Sequence, residues 1–238
     1  MFNFPTRPEP LGENKLITFI SAGPGAGATT IAALTAMATK NACIIDLSHT
    51  RKVRSYLGVH SEDFTISALD VQHAEDWEVE QYAVKHPSGI KIIPGPVREL
   101  DVKLLDAKLS VKILRKAKRT FRNTVIVSSP IWASGWINIL MSDVVAYVMR
   151  PDRADLDVYH EHIDFISRLD ASERLVLILN QAKKPGSLDL EEVQKVTGKV
   201  DYIIPYTEEI SRQGNRRRLD PGKHAETLRR IGGVVNAG

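Results

Sequence analysis

A glycine-rich turn near the start of the chain carries the residue types that bind phosphate. It spans Ala22 to Thr30, reads Ala-Gly-Pro-Gly-Ala-Gly-Ala-Thr-Thr, and follows a short apolar run from Lys15 to Ser21. Small residues let backbone amides wrap around an anion, and the free N–H groups and dipole of a following helix favour negative charge. Gly25, Gly27 and a helix that starts at Ala28 would provide both. The alternative is an inert glycine turn in an α/β fold.

The turn lacks the cation of a complete phosphate-binding loop. The motif GxxxxGK[ST] requires Gly at position 22 and Lys at position 28, where this chain has Ala22 and Ala28. Losing the lysine removes a charge-assisted hydrogen bond worth roughly 1.5–3 kcal/mol. Thr29 stands where a hydroxyl would meet Mg²⁺, and Thr30 is placed to bond a phosphate oxygen. The pattern therefore predicts a phosphate site of reduced strength.

Apolar segments alternate with helical patterns along the rest of the chain. The predicted strands are Lys15–Ser21, Ala42–Leu47, Ile90–Ile93, Thr124–Ser128, Val144–Met149, Leu175–Leu179 and Tyr202–Ile204. The predicted helices are Ala28–Lys40, Leu105–Thr120, Asp155–Leu169 and Leu188–Thr197. Strands that are apolar throughout, separated by amphipathic helices, predict an α/β fold with a doubly wound, mostly parallel sheet and helices on both faces. We expect a flexible tail over residues 1–14 and one domain over residues 15–238.

Composition limits the cellular location and the binding partners that we expect for the chain. The formal net charge of +3 is too small to indicate a nucleic-acid binder by itself. The single cysteine, Cys43, excludes an intramolecular disulfide and lies in an apolar run, so we expect it in the core. No apolar run reaches 18 residues, so no transmembrane segment is predicted. We expect a cytoplasmic protein, with a peripheral position at the inner face of the membrane or at the cell pole as the second expectation.

Several segments together resemble the ParA/MinD superfamily of P-loop proteins with a deviant Walker A motif. GPGAGATTIAAL resembles its KGGxGKTT loop, and the form GxGATT is similar to that of the CpaE/TadZ-like branch. In the same order, CIIDLSHTRKVRSYLGV, GIKIIPGP, NTVIVSSP, SDVVAYVMRPDRADL, LILNQ and IIPYTEEISRQGN resemble later segments of that family. The resemblance spans about residues 15–220 and rests on the order and spacing of the segments.

The resemblance implies a nucleotide site in which four functional positions differ from the family pattern. These are Gly23 and Ala28 in place of two lysines, and Ser48 and Ser128 in place of two aspartates. The implied nucleotide-binding residues are Gly23, Gly25, Ala26, Gly27, Ala28, Thr29, Thr30 and Asn180, with Thr29 and Asp46 as the implied Mg²⁺ ligands. Asp46 is also the catalytic candidate if the protein is active. ATP and Mg²⁺ are therefore expected to bind weakly or conditionally, with little or no hydrolysis.

Basic and aromatic residues offer further candidates. Arg216, Arg217 and Arg218 form the densest basic run, which either contacts DNA or an anionic membrane or is a solvated surface. Arg51, Lys52, Arg54, Arg150 and Arg153 either replace the missing lysines or form a solvated face. The segment His224–Val235 either inserts into a membrane or, as we expect, docks on its own domain. Trp132 and Trp136 either anchor a partner or pack on a helix. For His160, His162, Ser128 and Ser129 we expect surface or structural roles.

Three functions follow from these interpretations. The first is a localisation or scaffold factor, a dimeric pseudo-ATPase that recruits a pilus or secretion apparatus, as the resemblance to the CpaE/TadZ branch implies. The second is an active ParA/MinD-like ATPase that partitions DNA or positions a cell-envelope complex, with other cations replacing the lysines. The third is an interaction module that binds no ligand. The family implies a homodimer for the first two.

Overall fold

The computed structural model describes residues 14–39, 41–50, 52–59, 77–95 and 105–233. Within these residues a single sheet contains eight strands. They are β1 (Lys15–Ser21), β2 (Ala42–Asp46), β3 (Val84–Lys85), β4 (Lys91–Ile93), β5 (Asn123–Val127), β6 (Val144–Met149), β7 (Leu175–Ala182) and β8 (Tyr202–Pro205). Their order across the sheet is β3-β4-β2-β5-β1-β6-β7-β8. Every neighbouring pair is parallel except β3 and β4, so the predicted mostly parallel sheet is confirmed.

Helices cover both faces of this sheet. They are α1 (Ala28–Ala38), α2 (Lys52–Tyr56), α3 (Ala107–Thr120), α4 (Trp136–Met141), α5 (Arg153–Arg168), α6 (Leu190–Thr197), α7 (Glu208–Asn215) and α8 (Ala225–Gly233). Short helical turns lie at Val79–Tyr82, Ile131–Gly135, Ser172–Arg174 and Gly222–His224. Helices α1, α2, α7 and α8 contribute to the core on one face. Helices α3 to α6 contribute to the cores on the other face.

Alternating side chains of the central strand enter opposite cores. In β1, Ile17 and Phe19 face the core beneath α1, whereas Leu16 and Ile20 face the other side. All four are buried, which explains why the strand is apolar throughout in sequence. Cys43 lies fully buried in β2, as its apolar setting predicts.

Aspartates begin three of the covering helices. The side chains of Asp106, Asp152 and Asp189 each accept a hydrogen bond from a backbone N–H in the first turn of α3, α5 and α6 respectively. Asp189 also forms a reciprocal capping box with Glu192. These caps satisfy N–H groups that a helix start leaves free. They fix where each helix begins, close to the boundaries that periodicity predicts.

A buried ion pair joins β1 and β6 to α3. Lys118 is 1% exposed, and its Nζ lies 2.8 Å from Asp143 Oδ1. The other carboxylate oxygen, Asp143 Oδ2, accepts the backbone N–H of Leu16 at 2.8 Å. Since Asp143 immediately precedes β6, this aspartate connects β1, β6 and α3.

The C-terminal helix packs on α1. Leu228 and Ile231 of α8 are buried in the core that α1 shares, and a Cβ on Gly232 would overlap Thr39 Oγ1. Docking of this segment on its own domain is therefore confirmed over residues 225–233. Val234 and Val235, which belong to the same predicted segment, lie outside the described residues, as do residues 1–13 of the predicted tail.

Two features of the sheet were not predicted from sequence. Strand β3 is only two residues long and runs antiparallel to β4. Strand β7 continues to Ala182, three residues beyond its predicted end, and the register with β8 shifts between Asn180 and Ala182. Gln181, in this irregularity, adopts a φ of 59°, a left-handed conformation uncommon for a residue with a side chain.

Candidate functional site

The glycine-rich turn lies between β1 and α1, as predicted. Gly25 and Gly27 have φ values of 85° and 95°, which L side chains rarely adopt. Gly27 is the N-cap of α1 and supplies no side-chain hydrogen bond to the first turn. The first backbone N–H groups of α1 therefore lack a side-chain cap and remain available for an anion. The turn has the backbone geometry that a phosphate requires.

Two amides from β7 hold this turn from outside. Asn180 Nδ2 donates to the carbonyl of Ala26 at 2.8 Å, and Gln181 Nε2 donates to the carbonyl of Gly25 at 3.1 Å. A Cβ on Gly27 would overlap Asn180 Nδ2. Because of the irregularity at Gln181, the adjacent side chains of Asn180 and Gln181 both reach this turn. Asn180, predicted as a nucleotide contact through the family resemblance, contacts the loop itself.

A cavity of about 840 Å³ lies over the turn at the carboxyl ends of the central strands. Strand β1 lies between β5 and β6, so the strand order reverses at this point. Open α/β sheets bind ligands at the carboxyl ends of the strands beside such a reversal. The sequence candidates that line it are Gly23, Gly25, Gly27, Ala28, Thr29, Thr30, Ser48, Ser128 and Asn180. Ala26 is fully buried beneath the turn, and Asp46 is fully buried beneath Ser48.

The charged residues that line the described part of the cavity are lysines. Lys52 begins α2, and Lys184 follows β7 with its Nζ 5.5 Å from the centre of the Tyr206 ring. Among the described residues that line the cavity, none is an aspartate or a glutamate. The cavity is therefore suited to an anionic ligand.

Both carboxylate oxygens of Asp46 accept hydrogen bonds from residues that follow β2. Asp46 Oδ1 accepts the backbone N–H of Ser48 at 2.9 Å and its hydroxyl at 2.6 Å, while Oδ2 accepts the N–H of Val53 at 3.3 Å. Burial raises the pKa of Asp46, and the hydrogen bonds from Ser48 and Val53 and the charge of Arg54 oppose that rise. Asp46 thus orders the turn between β2 and α2.

Ser128, which follows β5, belongs to a hydrogen-bonded network of neutral groups. Its hydroxyl donates to the carbonyl of Ser129 at 2.9 Å and accepts from Asn138 Nδ2 at 3.0 Å. The carbonyl of Asn138 accepts the hydroxyl of Ser142 at 2.7 Å, and Ser142 contacts Thr18 of β1. This end of β5 presents a hydroxyl in place of a carboxylate.

Arg150 lies beside the turn but is paired with carboxylates. Its Nη1 is 3.7 Å from the position of a Cβ on Gly25, and its Nη2 is 2.7 Å from Asp155 Oδ1. Its Nε is 3.2 Å from Asp152 Oδ2. Hydrogen bonding to Asp155 raises the pKa of Arg150. Because two carboxylates surround one guanidinium, this cluster adds no net positive charge at the turn. Arg51, another predicted cation, lies outside the described residues.

The two tryptophans after β5 have different environments. Trp132 is 81% exposed and lines the cavity, whereas Trp136 packs partly buried against the core at the start of α4. The packing expectation therefore holds for Trp136, and Trp132 remains available as an anchor. His162 also lines the cavity, and its Nδ1 lies 2.9 Å from the hydroxyl of the buried Tyr147. Its structural role agrees with the expectation from sequence.

The basic run lies at the rim of the cavity. Arg216, Arg217 and Arg218 are exposed in the turn after α7, and the preceding residues Gly214 and Asn215 line the cavity.

No helix in the described part of the chain is long and apolar enough to cross a membrane.

Sequence reasoning missed three residues of the site. Gln181 reaches the turn only because of the β7 irregularity, for which the sequence pattern has no signal. Lys184 and Tyr206 lie on loops after different strands and meet only in the folded chain. Both residues follow apolar strands, β7 and β8. Because parallel strands bring their carboxyl ends to one edge of the sheet, these positions could have indicated that the two residues lie near the site.

The residues around Thr29 do not fit a bound Mg²⁺. Magnesium is usually held by one or two carboxylates together with substrate phosphates and water. Here Thr29 supplies a hydroxyl, Ser128 supplies another, and the carboxylate of Asp46 is committed to Ser48 and Val53. The donor set for the metal is incomplete among the described residues.

Comparison with known proteins finds similarity in structure alone. The chain matches no family model and no curated protein sequence. It is similar to a ParA family ATPase from Chlorobium tepidum, with TM-score 0.78, 16% identity and coverage of 92% of this chain and 97% of that one. It is also similar to the septum site-determining protein MinD from Pyrococcus horikoshii, complexed with Mg-ADP, with TM-score 0.77, 17% identity and coverage of 94% and 96%.

A third similar structure is a putative plasmid partition protein from Borrelia burgdorferi bound to AMPPNP. Its TM-score is 0.71 at 19% identity, with coverage of 92% of this chain and 98% of that one. Together these structures show that the chain has the ParA/MinD type of P-loop α/β fold over nearly its whole length.

Proposed function

We propose that this chain is a degenerate ParA/MinD-type protein that acts as a localisation or scaffold factor, with weak or conditional ATP binding and little or no hydrolysis. The observation that carries the proposal is a phosphate loop with its glycine geometry intact in a cavity whose described lining contains no carboxylate. The shape for binding is retained, whereas the described residues that line the cavity supply no carboxylate for phosphoryl transfer.

Binding and hydrolysis make different demands on this site. Backbone amides and the start of α1 suffice to attract phosphate, with Thr29 and Thr30 as additional donors. Hydrolysis needs cations on the transferring phosphoryl group and a group that positions the attacking water. Ala28 and Gly23 supply no cation, and the nearby Arg150 is already paired with Asp152 and Asp155. A bound nucleotide would therefore persist.

The proposed partners are a second copy of the chain and proteins of a pilus or secretion apparatus. The resemblance of the GxGATT loop to the CpaE/TadZ-like branch motivates this choice. The exposed Trp132 supports it, because an exposed aromatic side chain is a common anchor in protein interfaces. Without a lysine at position 23, nucleotide should couple only weakly to dimerisation.

The alternative function is an active ATPase that partitions DNA or positions a complex at the cell envelope. It is favoured by the exposed run Arg216 to Arg218 at the cavity rim, where an anionic polymer could reach both the arginines and the site. It requires a replacement for the missing lysines. Lys52 and Lys184 are the cations that line the cavity.

One paired experiment separates these functions. Calorimetric titration with ATP and with a non-hydrolysable analogue, in the presence of Mg²⁺, is combined with a phosphate-release assay. Saturable binding without release supports the scaffold, and its oligomeric state is then compared with and without nucleotide. Release that is stimulated by DNA or anionic vesicles and lost in Asp46→Ala supports the ATPase. Absence of binding leaves an interaction module without a ligand.

A further inference from the structure

We infer that the cavity binds nucleotide phosphates as a metal-free anion, so that Mg²⁺ is not needed for binding. The inference rests on the proposed nucleotide-binding function and concerns the same site. One structure with a similar fold is complexed with Mg-ADP. The oxygen donors that this chain places around the loop do not suit Mg²⁺, and the inference follows from this difference.

Among the described residues that line the cavity, none supplies a carboxylate to a metal ion. Asp46 is fully buried, and both of its oxygens accept hydrogen bonds from residues of its own turn. Releasing it toward a metal would leave the N–H groups of Ser48 and Val53 without their partner, which is unfavourable in a buried position.

The position at the end of β5 cannot compensate. The hydroxyl of Ser128 donates to the carbonyl of Ser129 and accepts from Asn138 Nδ2, so it is held within this network. A neutral hydroxyl in such a network also attracts a divalent cation far less than a carboxylate does. The second oxygen donor that Mg²⁺ prefers is therefore missing.

Positive groups of the protein take over the neutralisation of phosphate. The uncapped start of α1 presents backbone N–H groups, and Lys52 and Lys184 line the same cavity. Mg²⁺ removes negative charge from a nucleotide and competes with ammonium groups for the same phosphate oxygens. Since the described lining offers no carboxylate in return, the metal complex gains nothing over the free anion.

The test is a titration of the full chain with ADP, in excess EDTA and in excess Mg²⁺. The expected result is saturable binding in EDTA, with an affinity equal to or higher than that in Mg²⁺. A double substitution, Lys52→Met with Lys184→Met, should weaken binding in EDTA by roughly ten- to a hundred-fold, as expected for the loss of charge-assisted hydrogen bonds.

A matched pair of variants tests the cause. Ser128→Asp places a carboxylate at the end of β5, where Asn138 can donate to it, and should make binding in Mg²⁺ tighter than in EDTA by roughly tenfold. Ser128→Asn has the same shape without the charge and should not create this preference. If the parent binds ADP only with Mg²⁺, the inference is overturned and the nucleotide-binding scaffold stands. If ADP binds in neither condition, the nucleotide-binding proposal fails and this inference fails with it.

Discussion

Asn180 donates its side-chain amide to the carbonyl of Ala26 across 2.8 Å, joining the end of β7 to the turn after β1. Ala26 is fully buried, so its carbonyl has no access to water and depends on this partner. The absence of Cβ on Gly27 leaves the space that the amide occupies. The shape of the phosphate loop is therefore set jointly by its glycines and by a neighbouring strand.

Replacing Gly27 by alanine should destabilise the protein strongly. The substitution adds a Cβ that overlaps Asn180 and imposes a side chain on a φ of 95°. We expect a loss of roughly 2–4 kcal/mol in the free energy of unfolding, from overpacking and backbone strain together. Urea denaturation measures it.

Gly186→Ala is the matched control, since Gly186 has a φ of 80° but open space around its Cβ position. It should lose only about 1–2 kcal/mol, from backbone strain alone. In the double variant Gly27→Ala with Asn180→Ala, the two losses should be less than additive because the overlap disappears. Strict additivity would contradict the contact between Gly27 and Asn180.

Replacing Lys118 by methionine should be among the most destabilising changes at a charged residue. Lys118 is 1% exposed, and the substitution removes the ammonium group that lies 2.8 Å from Asp143 Oδ1. Breaking a buried ion pair typically costs about 3–5 kcal/mol. Arg212→Met breaks an exposed pair with Glu208 and should change stability by less than about 0.5 kcal/mol. Equal effects of the two substitutions, compared by thermal and urea denaturation, would exclude a special role for the buried pair.

Adjacent glycines of α8 should respond differently to alanine. A Cβ on Gly232 overlaps Thr39 after α1, whereas a Cβ on Gly233 meets nothing within 4 Å. We expect Gly232→Ala to lose roughly 1–3 kcal/mol through overpacking. We expect Gly233→Ala to stay within about 0.5 kcal/mol of the parent. Denaturation of the two variants side by side checks the docking of α8, and tolerance of Gly232→Ala would show that the helix is not seated on α1.

The stability of the fold should rise with pH through the titration of His162. Burial lowers the pKa of His162 below its ordinary value of 6.5. Between that lowered pKa and pH 6.5 the unfolded chain binds more protons than the folded chain, so this group adds stability as pH rises. NMR titration of the ring should give a midpoint below 6.5, and His162→Gln should reduce the slope of unfolding free energy in this window.

Other histidines also contribute to the pH dependence of the unfolding free energy. Burial also lowers the pKa values of His86 and His224, so His162→Gln should reduce the slope without abolishing it. A midpoint for His162 at or above 6.5 would contradict the buried setting beside Tyr147.

Sequence predicted the elements that have strong local signals. Strands β1 and β6 have the predicted boundaries because each is a predominantly apolar run with polar residues at or just beyond its ends. The glycines of the loop were identified because a left-handed backbone selects that residue type. Two-residue β3 was missed, since so short a strand is defined by its partner and not by its own pattern.

The sequence named candidate residues for the site but did not indicate their contacts. The family resemblance named Asp46 and Asn180 as candidates. Asn180 contacts the loop, whereas Asp46 lies buried in β2 beneath Ser48. Their actual partners, Ser48 and Val53 for Asp46 and Ala26 for Asn180, depend on turns and a strand irregularity that have no sequence pattern. The charge balance at Arg150 likewise depends on the side-chain geometry of Asp152 and Asp155.

The strands at the two ends of the sheet restrict how copies of this chain can assemble. At one end, β3 has two residues, the second of which is the exposed Lys85, and at the other end β8 stops at Pro205, which has no N–H group. Short, charged or proline-terminated edges offer little main chain for the addition of another strand. A dimer of this protein would therefore be joined by side chains of its loops and helices, and growth into fibrils by edge-to-edge pairing is disfavoured by the architecture itself.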